Sequence, residues 1–248
     1  MNADLLEFRR GVIAPVECIK EGWNLIKDQY WLFFGISFVG ILIGGAVPIV
    51  LLGPMMAGIF LCLLQKQRGR PVEFGTLFKG FEQFVPGLVV AVLKLVPLFV
   101  VLVPYYIFLI AMMATSMPRG GSASPEESRQ FMLSFFGVEI VFFVVIIVMS
   151  ILIEIFFMFA FPLVADRNLT GLDAVKLSFR AGKANIGGVF GLILLNVLLS
   201  VVGVLCCFVG LYFYLPVAFA SQAVAYRRVF PDIAPTFPSP PPPPGNWA

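Results

Sequence analysis

Residues 130–166 read QFMLSFFGVEIVFFVVIIVMSILIEIFFMFAFPLVAD, and before Asp166 closes the run only Glu139 and Glu154 carry charge. A helix crosses the roughly 30 Å hydrocarbon core of a bilayer in about 20 residues, so this stretch has length to spare. It is apolar on every face. A soluble core helix keeps a polar stripe, so the pattern predicts a transmembrane helix surrounded by lipid or by other membrane helices. Further apolar runs predict spans at residues 29–45, 48–66, 87–113, 187–204 and 211–226. Gly44-Gly45 turns the first hairpin, Pro48 opens its return helix and Pro54 bends it, while Pro97 and Pro104 kink the third span. Residues 116–128, rich in Gly, Ser and Pro, predict an exposed loop, and a turn is expected near 205–210.

Ahead of each hairpin the period changes. Pro15-Val16-Glu17 opens a helix, with proline in its first turn and a carboxylate at the positive end of its dipole. Ile19, Trp23, Ile26 and Tyr30 then recur at helical spacing, with Glu17, Lys20, Glu21, Asn24 and Lys27 largely opposite. Pro71-Val72-Glu73 repeats the opening, and Phe74, Leu77, Phe78, Phe81 and Val85 form a stripe against Glu73, Thr76, Lys79 and Glu82. In a third copy Thr170-Gly171-Leu172-Asp173 approximates a capping box, and Leu172, Val175 and Phe179 face away from Lys176, Arg180 and Lys183. Helices of this kind lie in the membrane interface, with their lysines and arginines at anionic headgroups. Lys20, Lys27, Lys79, Lys176, Arg180 and Lys183 are therefore the candidate headgroup-binding residues.

The predicted fold is all-α and polytopic: six transmembrane helices in three hairpins, each preceded by a cytoplasmic amphipathic interfacial helix. A small residue beside an aromatic recurs at Gly22-Trp23, Gly80-Phe81 and Ser178-Phe179, and a proline recurs in each return span at Pro54, Pro162 and Pro216, which predicts a threefold internal repeat. Residues 15–230 form the membrane domain. Residues 1–14 carry Asp4, Glu7, Arg9 and Arg10 without an apolar core, so they predict a cytoplasmic segment and no cleavable signal peptide. Residues 231–248 form a proline-rich tail, in exposed polyproline II, that reads as a spacer or as a dock for a partner with an aromatic groove.

Orientation follows from the basic residues. With six spans, Arg9, Arg10, Lys20, Lys27, Lys66, Arg68, Arg70, Lys79, Arg167, Lys176, Arg180, Lys183, Arg227 and Arg228 all fall on one side, leaving Arg119 and Arg129 on the other. The positive-inside rule then places both termini in the cytoplasm, whereas a five-span arrangement would split these clusters. Inside the hydrocarbon remain Lys94, Glu139 and Glu154. Counted from the cytoplasmic ends of antiparallel helices, Lys94 lies about 15 Å deep and Glu154 about 18 Å, so the two are expected to meet. Glu139 lies nearer the outer interface, within reach of water. Lys94 and Glu154 are read either as an ion pair that fixes helix packing, the favoured reading, or as part of a polar pathway for an ion, proton or headgroup.

Composition agrees and removes other classes. Hydrophobic residues make up 60% of the chain and charged ones 12%, with a mean hydropathy of +0.97, which a water-soluble domain would not sustain. A net charge of +3 is too small to suggest a nucleic-acid partner. Histidine is absent, which removes the common general base and metal ligand, so no catalytic residue, cofactor or metal is assigned. Cys18, Cys62, Cys206 and Cys207 lack metal-site spacing and read as small packing residues.

The stretches PVECIKEGWNLIKDQYWLFFGI, LLGPMMAGI, VEFGTLFKGF, FPLVADR and AYRRVF resemble uncharacterised six-span bacterial integral membrane proteins of the domain-of-unknown-function type. That group is related to the membrane domain found ahead of some glycerophosphodiester phosphodiesterases. The resemblance spans residues 12–230 and implies a bacterial inner-membrane location but no activity, since neither the phosphodiesterase domain nor a histidine for its chemistry is present. The expectation is a non-enzymatic membrane scaffold or lipid-organising protein; the alternative is a small transporter or channel using Lys94 and Glu154.

Overall fold

The computed structural model describes residues 7–116, 124–205 and 209–232. Their regular elements are all helical: α1 (Pro15–Ile26), a single 3-10 turn (Lys27–Gln29), α2 (Tyr30–Ala46), α3 (Leu52–Gln67), a 3-10 helix (Phe74–Gln83), α4 (Phe84–Ser116), α5 (Pro125–Phe157), α6 (Ala160–Arg167), α7 (Gly171–Ala184), α8 (Ile186–Leu205) and α9 (Val209–Val229). Among the described residues, five segments are long and apolar enough to cross a membrane: Pro15–Ala46, Phe74–Thr115, Pro125–Arg167, Ile186–Leu205 and Val209–Val229. The run expected as the second span forms α3, whose 16 residues reach about 24 Å, short of a full hydrocarbon core.

Local chemistry sets the helix ends. Pro15 occupies the start of α1, and Thr170 caps α7 by accepting a hydrogen bond from the Asp173 amide while donating to its carboxylate. The loop expected through residue 128 ends earlier, because Ser124 and Glu127 form a reciprocal capping box that starts α5 at Pro125. Residues 117–123 and the expected turn at Cys206 and Cys207 lie outside the described residues, as does the tail from residue 233. Pro48 does not open the return helix, which begins at Leu52; Pro54 then falls in its first turn, where the missing amide hydrogen costs no helical bond.

The continuous helix expected over 130–166 divides into α5 and α6. Pro162 cannot donate to the carbonyl of Met158, and its ring crowds that turn. Ser178 of α7 bridges the break: its hydroxyl donates to the Phe156 carbonyl (2.6 Å) and accepts from the Phe159 amide (3.2 Å). The second amphipathic element differs as well, forming a 3-10 helix in place of the expected α-helix.

Three units close on one another in a ring. Unit one is α1, α2 and α3; unit two is the 3-10 helix, α4 and α5–α6; unit three is α7, α8 and α9. Each amphipathic element packs against the return helix of the unit before it: α1 on α9, the 3-10 helix on α3, and α7 on α5–α6. The recurring small residue sits at each junction. A methyl group on Gly22 would lie 2.7 Å from the Ser221 nitrogen, and one on Gly80 would lie 2.1 Å from the Pro54 carbonyl oxygen. At the third junction Ser178 makes the two hydrogen bonds across the break. The small residue that recurs in the sequence thus stands at a helix contact in each case, by close backbone approach at Gly22 and Gly80 and by hydrogen bonds at Ser178.

The core lies where the return helices converge, around Phe60, Leu63 and Leu64 of α3, Phe159 and Leu163 near α6, and Ala220, Tyr226 and Phe230 at the end of α9. By contrast, Ile155 is the buried residue of α5, whose other described side chains face outward or lie half-buried. The most hydrophobic run in the chain thus forms the periphery, and the shorter α3 forms the centre. Gly58 tests that centre, since a Cβ there would lie 2.0 Å from the Leu77 carbonyl oxygen, backbone that cannot rotate away. Gly58→Ala is expected to cost about 1–3 kcal/mol by overpacking, read as a lowered midpoint of unfolding in detergent. Gly45→Ala, where nothing stands within 4 Å, is the matched control and should leave the midpoint nearly unchanged.

Candidate polar sites in and beside the membrane

Lys94 projects from α4 and Glu154 from α5, three residues before that helix ends. They meet as expected, with Nζ 2.7 Å from Oε2 and side chains 27% and 30% exposed. In a low-dielectric environment such a pair is mutually dependent, because each charge without the other is far costlier than in water. Glu139 also has a partner: the Tyr105 hydroxyl donates to its Oε1, and the Tyr105 ring stacks on Phe142. This is a second polar link between α4 and α5, and it leaves the half-buried Glu139 carboxylate a further oxygen. A third link joins α8 to α9, where Tyr214 donates to Asn196 Oδ1 (2.7 Å) and the Asn196 amide donates back to the Leu192 carbonyl (2.8 Å).

The densest polar cluster was not assigned from the sequence as a site. Asp166, at the end of α6, has a side chain 4% exposed, and it accepts hydrogen bonds from the Tyr226 hydroxyl (2.7 Å), from both terminal nitrogens of Arg227 (3.2 and 3.3 Å) and from Arg68. Asp232 takes a second set from Arg68 (2.9 Å) and Arg227 (2.7 Å). Burial works against the Arg68 charge, but its hydrogen bonds to the two aspartates and their attraction outweigh this and raise its pKa above the ordinary value. The C-terminal ends of the three return helices are thereby tied together. The available signal was positional: Arg68, Asp166-Arg167 and Arg227-Arg228 each stand at the C-terminal end of a return helix, and were read from the sequence as topology markers or segment ends alone. Beside them Arg228 pairs with Glu17 (2.9 Å) and Glu21 (2.8 Å) of α1.

The six candidate headgroup-binding residues are all exposed. Lys27 donates to Asn24 (3.0 Å), while Lys20, Lys79, Lys176, Arg180 and Lys183 form no ion pair among the described residues. Each amphipathic element has three faces. Its small residues dock on the protein: Cys18 and Gly22 in α1, Thr76 and Gly80 in the 3-10 helix, Ala174, Ser178 and Ala181 in α7. Ile26, Leu77 and Leu177 are buried with them, while Trp23, Phe78 and Phe179 point away from the protein, 46%, 43% and 47% exposed. Its cations lie beside them. Among the described residues no His, Cys, Asp and Glu side chains cluster to hold a metal ion.

Comparison with protein-family models, curated proteins and solved structures finds no significant match.

Proposed function

We propose that this is a six-span integral protein of a bacterial inner membrane, with both termini cytoplasmic, that organises lipids as a scaffold and performs no catalysis. The reading rests on one observation. Three amphipathic elements are held by faces of small residues with Ile26, Leu77 and Leu177, while Trp23, Phe78 and Phe179 stand exposed with lysine or arginine alongside. Exposed aromatics with basic neighbours match the boundary between acyl chains and anionic headgroups, where ring and ammonium are both satisfied. In this reading α3 completes its crossing by local thinning of the bilayer or by its basic flank at Lys66 and Arg68 reaching the interface. The proline-rich tail is proposed as a spacer or partner dock on the same face.

Each basic residue near an anionic surface contributes about 1 kcal/mol, so Lys176→Gln, Arg180→Gln and Lys183→Gln together should weaken retention of anionic lipid by about 3 kcal/mol, roughly 100-fold. The measurement is the amount of phosphatidylglycerol that remains with the purified protein against a fixed phosphatidylcholine background. Retention unchanged in the triple variant would remove the headgroup role.

A further inference from the structure

We infer that the cleft between α1, the end of α3 and the end of α9 is a binding site for a phosphoethanolamine group, the headgroup of a zwitterionic phospholipid. The inference deepens the lipid-organising reading and rests on it for the source of the ligand. The cleft has a volume of about 480 Å³ and is lined by Glu21, Asn24, Gln67, Arg227 and Arg228 over an apolar flank of Leu25 and Val224.

Its chemistry is bipolar. Arg227 and Arg228 bring guanidinium groups to one wall, and a guanidinium fork matches two oxygens of a phosphate. Glu21 brings a carboxylate 54% exposed, and Glu17, its neighbour on the same guanidinium, is 64% exposed; both retain acceptor capacity for an ammonium. The surrounding charges nearly cancel, because Arg228 faces Glu17 and Glu21 while Arg227 faces Asp166 and Asp232. A purely anionic headgroup would meet those carboxylates uncompensated, whereas a ligand with both signs meets each with its opposite.

Two further atoms in the wall are unspent. Gln67 Oε1 and Arg227 Nε are buried and lack a hydrogen-bond partner among the described residues; the Gln67 amide can turn toward a ligand, whereas Arg227 is held in place by its terminal nitrogens on Asp166 and Asp232. Leu25 and Val224 supply the apolar edge that a diacylglycerol ester needs and a free metabolite does not. The site differs from the exposed lysines of α7 in requiring an ammonium as well as a phosphate.

The test uses the full chain purified in a neutral detergent and challenged with equal amounts of phosphatidylethanolamine, phosphatidylglycerol and phosphatidylcholine, with bound lipid counted by native mass spectrometry. Phosphatidylethanolamine should be retained at least 10-fold over phosphatidylcholine, and Glu21→Gln should abolish that preference. Asn24→Trp fills the cleft from an exposed position without touching an ion pair, and should remove the bound lipid while the unfolding midpoint stays in place. An arm with water-soluble glycerophosphoethanolamine distinguishes the source: displacement of lipid at low millimolar concentration would assign the site to the soluble ester. Equal phosphatidylethanolamine retention in wild type, Glu21→Gln and Asn24→Trp overturns the inference. Phosphatidylglycerol retention lost only in the α7 triple variant would leave the broader reading standing in that case.

Discussion

Asp166→Asn destabilises the protein by about 3–5 kcal/mol, the cost expected when one partner of a buried ion network is neutralised and the others are left behind. The geometry carries the size of the effect. Asp166 is 4% exposed and receives Arg68, Arg227 and Tyr226 from two other helices. Asparagine keeps the shape but has one carbonyl oxygen and no charge, so Arg227, itself 17% exposed, retains Asp232 alone as its carboxylate. The check is the midpoint of unfolding in detergent, followed by the Arg227→Met and double variants. Because the groups form one network, the double variant should be less destabilised than the sum of the singles. A change below about 0.5 kcal/mol for Asp166→Asn, within the range of ordinary surface substitutions, would show that solvent and not Asp166 holds the arginines.

The second large effect belongs to Lys94 and Glu154. Lys94→Met and Glu154→Gln are each expected to cost about 3 kcal/mol, since an unpaired charge in hydrocarbon is expensive, and the double variant should recover much of that loss. Their 2.7 Å contact predicts strong coupling in a double-mutant cycle. Strong coupling makes the pair a clamp between α4 and α5 and counts against a transport pathway. Small and additive effects would mean that each group faces water separately, and ion or solute flux through Glu154→Gln in proteoliposomes would then decide whether a channel exists.

Hydropathy and period were enough to read helices, their order and most of their ends. Transfer of roughly twenty apolar residues into lipid is a local free energy, additive along the chain, so α2, α4, α8 and α9 can be read from composition alone. The pairing of Lys94 with Glu154 was also legible, because rise per residue fixes depth in antiparallel helices and leaves few partners at that level. The break after Phe157 was not anticipated, although its proline was visible, because a proline bends or divides a helix according to what satisfies the freed backbone groups. Here that partner is Ser178, some twenty positions away.

What the sequence by itself determined is an all-helical, lipid-compatible chain with three amphipathic elements and two charges within long apolar helices that find each other. What only the tertiary structure decided is which helix is central and which residues share a site. The most hydrophobic run lies at the periphery because lipid solvates it as well as protein does, which leaves no hydrophobic drive to bury it. The centre belongs to α3, whose Gly53 and Gly58 permit the backbone approach that van der Waals packing needs. Likewise Arg68, Asp166 and Arg227 are separated by up to 159 positions in the numbering, and they meet because the three return helices end at one place. Charge pairing acts over a few ångströms in space, and no local pattern along the chain records which ends will converge.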